Sequence, residues 1–177
     1  MSNEAVVIES YNSDWPRFFE EEKKRLEAVF SGCLVSIEHI GSTAVAGLDA
    51  KPIIDIMLGV ESFSVIEERL SALGDLAYVY MPQYEDEMPE RRFFYKEIEG
   101  KRSHHLHAVE IDSDFWKRHL LFRDYLRTHP EALLEYANLK HKLAREFRED
   151  REAYTDAKSD FIERIQKLAG FEPLNGR

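Results

Sequence analysis

The expected architecture follows from two segments, Ile40-Gly41-Ser42-Thr43 and Ile53-Ile54-Asp55-Ile56-Met57-Leu58. The pattern from Cys33 to Ile40 predicts a strand that ends at the Gly-Ser turn, and the apolar run from Pro52 to Val60 predicts a second strand. A carboxylate inside a buried strand costs free energy unless it is paired or binds a metal. The turn offers backbone N–H groups and a hydroxyl to phosphate oxygens. The two segments together therefore predict a phosphate site beside a divalent metal held by Asp55.

The rest of the chain predicts an α+β fold, with a mixed sheet, flanking helices and a C-terminal three-helix region. Residues 5–9 predict a short strand or an extended arm, and a helix begins near Ser13 or Asp14 and stops at Gly32. The remaining predicted elements are a helix from Ser62 or Ser64 to Gly74, a strand over 76–81, a hairpin of strands over 91–98 and 103–111, and helices from Ser113 onward that are separated at His129-Pro130 and near Asp150.

The predicted organisation is an α/β core over residues 1–112, a helical region over 113–170 packed on that core, and a tail over 171–177. The single cysteine, Cys33, excludes an intrachain disulfide, which is typical of a reducing compartment. We find no signal-peptide pattern and no apolar run near the roughly 20 residues that span a bilayer. We therefore expect a cytoplasmic protein without a membrane partner.

The net charge of −10 argues against generic nucleic-acid binding. A local basic patch would suit a nucleotide or another small anionic ligand better than a long polyanion. The sequence leaves the oligomeric state open.

The two segments also carry a family resemblance. The runs His39 to Leu48 and Ala50 to Ile56 resemble the motif of the GrpB family, which is placed by fold in the nucleotidyltransferase superfamily. Further segments that match are His104 to His107, Phe122 to Arg127, Tyr136 to Leu143, Tyr154-Thr155 and Ala157-Lys158. The resemblance covers nearly the whole chain and implies a polymerase-β-like core with a nucleotidyltransferase-like mixed sheet.

The resemblance implies metal-dependent transfer of a nucleotidyl group from a nucleoside triphosphate to a small-molecule or protein acceptor. Asp55 would be the catalytic metal ligand, with Mg²⁺ or Mn²⁺, or Zn²⁺, as the cofactor. The residues expected to bind phosphate or another part of the ligand are His39, Gly41, Ser42, Thr43, Lys51, Arg123, Lys140, Tyr154 and Lys158.

At one position this chain differs from active nucleotidyltransferases. They place a second carboxylate two residues after the first, where this chain has Met57. Two-metal phosphoryl transfer needs anionic ligands that bridge both ions. His105 and His107 alternate on one strand, so they share a face and could complete a metal site with Asp55. Glu110 is an alternative ligand, but it lies on the opposite face of a regular strand.

A separate pattern lies on the C-terminal helices. Lys140 and Lys158 occupy positions on apolar helical stripes where an apolar residue is expected, and Arg123 lies on a similar row. Such cations either extend to solvent from the edge of the stripe or point into a polar cavity. We expect these three to converge on the motif loop and bind an anion. Of the adjacent pair Arg91 and Arg92, one must face inward.

Three functions remain open on the sequence alone. The first is the metal-dependent nucleotidyltransferase. The second is a catalytically degenerate module that binds a nucleotide or anion on the same fold, and Met57 is the main support for it. The third is a metal-dependent hydrolase or another enzyme centred on the histidines.

Overall fold

The structure is a computed structural model that describes residues 5–33 and 35–174. Five strands form one mixed sheet in the order β1-β2-β5-β4-β3. The strands are β1 (Val35–Ile40), β2 (Ile54–Val60), β3 (Val79–Tyr80), β4 (Arg92–Ile98) and β5 (Lys101–Glu110). Only the central pair, β2 and β5, runs parallel, and the other three pairs are antiparallel. The predicted α+β fold with a mixed sheet and flanking helices is therefore confirmed.

Seven helices accompany the described part of the sheet. They are α1 (Trp15–Val29), α2 (Ser64–Glu67), α3 (Leu70–Asp75), α4 (Asp114–Thr128), α5 (Pro130–Glu146), α6 (Arg151–Asp156) and α7 (Ser159–Leu168). Pro16 lies in the first turn of α1, where the missing N–H of proline removes no helical hydrogen bond. No helix in the described ranges is long and apolar enough to cross a membrane.

Three predicted elements are shorter or more divided than the sequence suggested. The predicted strand over 76–81 is reduced to β3, because Ala77 adopts a positive φ of 66° and the chain enters the sheet only afterwards. The expected third C-terminal helix is divided into α6 and α7. Residues 5–9 form a single bridge, between Glu9 and Ala50, in place of a strand. Leu34 in the predicted first strand, residues 1–4 of the predicted core and 175–177 of the predicted tail lie outside the described residues.

The two faces of the sheet pack against different parts of the chain. One face packs on α1, α2 and α3 through a large apolar core that includes Leu26, Phe30, Ile56, Leu58 and Leu106. The opposite face carries Asp55, Met57, His105 and His107, by the alternation of β2 and β5. Ile40, Met57 and Val109 on this face pack with Phe115 and Trp116 of α4. The rest of the face is left open at the end of the sheet where β2 and β5 begin.

The C-terminal helices close around the turn that follows β1. Val45 and Leu48 from this turn pack with Leu126, Tyr136 and Phe161 in a third apolar cluster. Tyr154 of α6 packs with Val6 and Leu143 in a fourth. These contacts place α5 and α6 beside the beginning of β2. The boundary of the core at residue 112 falls between β5 and α4, and the division into two units stays a prediction.

Candidate functional site

An open cleft of about 850 Å³ lies between the sheet and helices α5 and α6. Its floor is the beginning of β2 and β5, and its walls come from the turn after β1, the segment before β4 and the two helices. The lining side chains that bear on chemistry are Ser42, Lys51, Asp55, Arg91, Arg102, His105, His107, Tyr136, Lys140, Tyr154 and Lys158.

Gly41 holds the turn directly against Asp55. Its φ of 70° and ψ of −173° belong to a backbone conformation that residues with a Cβ rarely adopt. A Cβ at this position would lie 2.5 Å from Asp55 Oδ2. The motif therefore requires glycine for two reasons, its backbone conformation and the close approach of the carboxylate.

Asp55, His105 and His107 form a cluster that we call the Asp55 triad. Their ligand atoms all lie within 4.8 Å of one another. Asp55 Oδ1 is 3.0 Å from His105 Nδ1 and 3.6 Å from His107 Nε2. Ligands bound to one ion at roughly 2.0–2.2 Å stand about 3 to 3.6 Å apart, so both distances from Asp55 are compatible with a shared ion. Two imidazoles and one carboxylate favour Mn, Fe or Zn over Mg.

The surroundings of the triad keep Asp55 ionised. Burial alone would raise the pKa of Asp55, but the hydrogen bonds and positive charge that His105 and His107 offer hold this pKa well below its usual range. Burial lowers the pKa of His107, although its contact with Asp55 opposes this. The Nε2 atom of His105 is buried and has no hydrogen-bond partner among the described residues. The ring nitrogen of His105 that faces Asp55 is Nδ1, and it is this atom that lies within ligand distance of the carboxylate.

The packing around Met57 is incompatible with a second carboxylate at this position. The residue is 0% exposed and packs with Phe115 and Trp116 of α4. It lies directly beside His107 in the parallel register of β2 and β5. A carboxylate at position 57 would be buried among apolar side chains, whereas His107 reaches the triad from the neighbouring strand. The described residues therefore provide one three-ligand group with a single carboxylate.

Lys51, Lys140 and Lys158 line the same cleft, and we call them the lysine cluster. Lys51 Nζ lies 4.9 Å and Lys158 Nζ 4.3 Å from the centre of the Tyr154 ring. Lys140 is 2% exposed and donates to the backbone carbonyl of Asp49. None of the three forms an ion pair within the described residues.

Burial changes the protonation of the lysine cluster. It lowers the pKa of Lys51 and of Lys140 to about 7, and that of Lys158 to about 8. Neighbouring cations act in the same direction on each of them, while Asp55 raises the pKa of Lys51 and Lys158. One buried and two half-buried amino groups without a carboxylate partner in the described residues make this wall suited to an anionic ligand.

Ser42 is connected to the helical wall by Tyr136. The Tyr136 hydroxyl lies close enough to the Ser42 side chain for the serine to lower its pKa, but burial raises the pKa of this tyrosine overall. The ring of Tyr136 stacks on Phe161 at 4.9 Å, and Lys140 Nζ lies 4.8 Å from its centre. Tyr136 therefore packs α5 against α7 and the turn after β1, and Gly41 and Ser42 of this turn line the cleft.

The chain matches the GrpB protein family over residues 5–168. It belongs to the GrpB family. It is 36% identical over 165 residues to the glutamate-rich protein GrpB of Alkalihalophilus pseudofirmus, which covers 90% of this chain and 93% of that protein. It is 40% identical over 167 residues to the UPF0157 protein YqkA of Bacillus subtilis. That match covers 93% of this chain but only 47% of the relative, so the chain spans about half the length of YqkA.

The fold is also that of a solved GrpB structure. The crystal structure of conserved protein GrpB from Enterococcus faecalis has a TM-score of 0.84 and 36% identity to this chain, and it covers 92% of this chain and 96% of its own. Membership of the GrpB family gives no reaction by itself. The nucleotidyltransferase relationship therefore stays a prediction.

The structure places His39 outside the cleft and uses the Thr43 hydroxyl inside the protein. His39 lies on the α1 face of the sheet, where its ring stacks on Phe19 at 4.7 Å. Its Nε2 lies 3.0 Å from Thr43 Oγ1, and Thr43 in turn donates to the Ile53 carbonyl at 3.1 Å. Thr43 touches the cleft, but its hydroxyl is used inside the protein. The expected ligand role of His39 is wrong, because β1 turns its side chain to the other face.

Arg123 does not join the lysines. Its guanidinium donates to Glu38 Oε2 at 2.7 Å, to the His39 carbonyl at 3.0 Å and to Asp124. These contacts fasten α4 to β1. The expected convergence is therefore right for Lys140 and Lys158 and wrong for Arg123, whose place among the cations of the cleft is taken by Lys51. Glu110 is exposed and is not part of the triad.

Sequence reasoning missed Tyr136 and Arg102 as cleft residues. Tyr136 belonged to an apolar stripe, and nothing in the sequence distinguished its hydroxyl from those of other core tyrosines. Arg102 reaches the cleft because the register between β4 and β5 shifts at Lys96/Glu97, which turns Arg102 onto the His105 face. Its guanidinium lies 4.2 Å from the centre of the Tyr95 ring. Of the pair Arg91 and Arg92, Arg91 is the one that lines the cleft.

Proposed function

We propose that the cleft binds one divalent metal at the Asp55 triad and a nucleoside triphosphate along the lysine cluster, and that the protein transfers the nucleotidyl group to a small-molecule or protein acceptor. The observation that carries the proposal is the placement of both groups in one cleft. Ligand atoms within 4.8 Å of one another and three lysines that form no ion pair within the described residues line the same cleft. Each of these features alone has structural explanations, but together they match an anionic substrate that brings its phosphates to a metal.

The two groups divide the work of phosphoryl transfer. A divalent ion at the triad supplies Lewis-acid polarisation of a phosphate oxygen. The backbone at Gly41 and Ser42 positions the phosphates at the edge of β2. The lysine cluster neutralises the charge that develops on the departing diphosphate. In two-metal transferases a second ion contributes to this neutralisation, and the three lysines would supply the positive charge of that ion, which has no second carboxylate to hold it at Met57.

The proposed reaction is a simple displacement. The acceptor hydroxyl oxygen forms a bond to the α-phosphorus, and the bond from that phosphorus to the oxygen bridging to the β-phosphate breaks. Inorganic diphosphate leaves along the lysine cluster. The proton of the acceptor hydroxyl passes to solvent water at the open mouth of the cleft.

A second candidate is the catalytically degenerate module that binds a nucleotide or anion. The single carboxylate of the triad favours it, because one carboxylate and two neutral imidazoles bring little negative charge to a metal. This candidate predicts binding by the lysine cluster without release of diphosphate.

Thermal unfolding with each of the four ribonucleoside triphosphates, with and without Mn²⁺, separates the candidates. The transferase predicts a rise in Tm that requires both Mn²⁺ and Asp55, so Asp55→Asn abolishes the rise. The binding module predicts a rise that Asp55→Asn leaves intact and Lys158→Gln removes. Release of inorganic diphosphate during incubation with candidate hydroxyl acceptors supports transfer directly. Absence of any rise with all four nucleotides contradicts both candidates.

A further inference from the structure

Arg91 is a second cationic feature of the cleft that the proposed function does not use. Its guanidinium carbon lies 4.8 Å from the centre of the Phe93 ring and 5.9 Å from that of Phe115. Its Nη1 donates to His107 Nδ1 at 3.3 Å. The Arg91 guanidinium thus lies near two aromatic rings and contacts His107 of the triad on the ring nitrogen that does not face Asp55.

The charge of Arg91 has no counterion in the described part of the chain. It forms no ion pair there, and its buried Nε has no hydrogen-bond partner. Burial lowers the pKa of Arg91, while Glu90 and Glu87 oppose this from a distance. Glu90 instead pairs with Arg118 at 3.5 Å. A half-buried guanidinium that lines an open cleft and pairs with no carboxylate in the described ranges is suited to a carboxylate or a phosphate.

Arg91 lies on the opposite side of the triad from the lysine cluster. The strand order places β4 on one side of β5 and places β2 and β1 on the other. Arg91 precedes β4, whereas Lys51 precedes β2, and Lys140 and Lys158 come from the helices packed beside β1 and its turn. One phosphate group therefore cannot account for both features, and two anionic groups would flank the metal.

Metal binding would free Arg91 for this role. An arginine only donates, so its bond to His107 Nδ1 requires a lone pair on that atom and places the ring proton on Nε2. Nε2 is the atom that faces Asp55. A neutral His107 that ligates through Nε2 carries its proton on Nδ1 and no longer accepts from Arg91. The guanidinium then has only the cleft to donate into.

We propose that Arg91 forms a second anion subsite, which binds a carboxylate or phosphate group of the acceptor. The acceptor is then a hydroxyl compound with an acidic group, held on the β4 side of the triad, while the nucleotide phosphates lie on the lysine side. The assignment to an acceptor rests on the proposed function. The anion subsite itself does not, and it is testable on its own.

The test is NMR of protein labelled with ¹⁵N-arginine, with Zn²⁺ present or absent. The Arg91 Nε–H resonance is assigned by its loss in Arg91→Lys. Methylphosphonate and acetate are the two probes, and they distinguish a phosphate-type from a carboxylate-type group. Arg92 is the matched control, because it is the next residue, pairs with Glu85 at 3.4 Å and faces Phe63.

We expect at least one probe to shift the Arg91 Nε–H resonance saturably, more strongly with Zn²⁺, while the Arg92 resonance stays in place. The shift persists in Lys158→Gln, and Arg91→Gln weakens probe binding at this subsite at least tenfold. An Arg91 resonance that neither probe moves, or whose shift disappears in Lys158→Gln, overturns the second subsite. If nucleotides fail to bind while the Arg91 shift persists, the subsite stands and only the proposed function falls.

Discussion

Buried charges occur in two regions on opposite sides of the sheet, and the two regions treat them differently. On the α1 side, Glu22 is 1% exposed and accepts from Lys96 Nζ at 2.9 Å and from Arg25 at 2.9 Å. In the cleft, Lys140 is buried and Lys51 and Lys158 are half-buried, but none of them has a carboxylate within ion-pair distance in the described ranges. Burial raises the pKa of Glu22 and the bonds from Lys96 lower it, with a net decrease.

The difference distinguishes the Glu22–Lys96 pair, which stabilises the fold, from the lysine cluster, whose charges are available to a ligand. When a buried charge has a partner, the attraction between the two offsets part of the free-energy cost of removing the charge from water. For an unpaired charge this cost is not offset until an anion binds, so the charge lowers the stability of the ligand-free protein. The comparison predicts opposite effects for substitutions of chemically similar residues in the two regions.

Glu22→Ala should have the largest effect on stability. It leaves Lys96 buried without a partner, and we expect a loss of about 3–5 kcal/mol in the free energy of unfolding. Glu21→Ala is the matched control on the same helix, since its ion pair with Arg17 is exposed and should be worth at most about 1 kcal/mol. Urea denaturation of both variants measures the difference, and equal losses would show that the Glu22 pair is not structural.

Gly41→Ala should have the next largest effect. Gly47 has a similar φ of 79° with no atom within 4 Å of a built Cβ, so Gly47→Ala should cost only the backbone strain of about 1–2 kcal/mol. Gly41→Ala should cost a further 1–3 kcal/mol or so, because the new methyl group meets Asp55. Denaturation curves of the pair isolate this excess. Equal losses in the free energy of unfolding of the two variants would contradict the close contact between the Gly41 backbone and the Asp55 carboxylate.

Lys158→Met should be neutral or stabilising, by up to about 1–3 kcal/mol, because it removes a half-buried charge that has no carboxylate partner. Lys96→Met is the comparison on the other face and should destabilise, since it removes the buried partner of Glu22 and leaves this carboxylate only the exposed Arg25. The free energy of unfolding in the absence of ligands measures both. A clear loss of stability in Lys158→Met would indicate that this lysine is already paired within the protein.

The smallest effect should appear in the pH dependence. The folded pKa values of about 7 to 8 in the lysine cluster lie below the unfolded lysine value of about 10.4. The unfolded state therefore binds more protons between about pH 7 and 10, and the cluster makes stability rise with pH across this window. Lys158→Met should reduce that slope by at most about 1.4 kcal/mol per pH unit. An unchanged slope would contradict the burial of its ammonium group.

The sequence was sufficient for the elements that depend on local patterns. The β1–turn–β2 segment, the β4–β5 hairpin and the shared face of His105 and His107 all follow from alternation and turn residues. The Asp55 triad was expected for the same reason, because a charged residue in an apolar strand needs a partner.

What the sequence could not supply depends on contacts between distant segments. Alternation separates His39 from Ile40, but only the pairing of Ile40 with Asp55 decides which of the two faces the site. Arg102 reaches the cleft through a register shift that no local pattern marks. Arg123 and Lys140 occupy similar positions on the apolar stripes of their helices. Arg123 pairs with Glu38, whereas Lys140 lines the cleft, and only the tertiary contacts distinguish the two.

The central claim is that the Asp55 triad binds a divalent metal, and titration of Mn²⁺ and Zn²⁺ into chelator-treated protein tests it most directly. His104→Asn is the matched control for His105→Asn, because the two residues are adjacent and point to opposite faces of β5. We predict one bound ion per chain in the wild type and in His104→Asn, and at least tenfold weaker binding in His105→Asn and Asp55→Asn. Equal affinity in all four proteins, or no bound ion in the wild type, would contradict the claim.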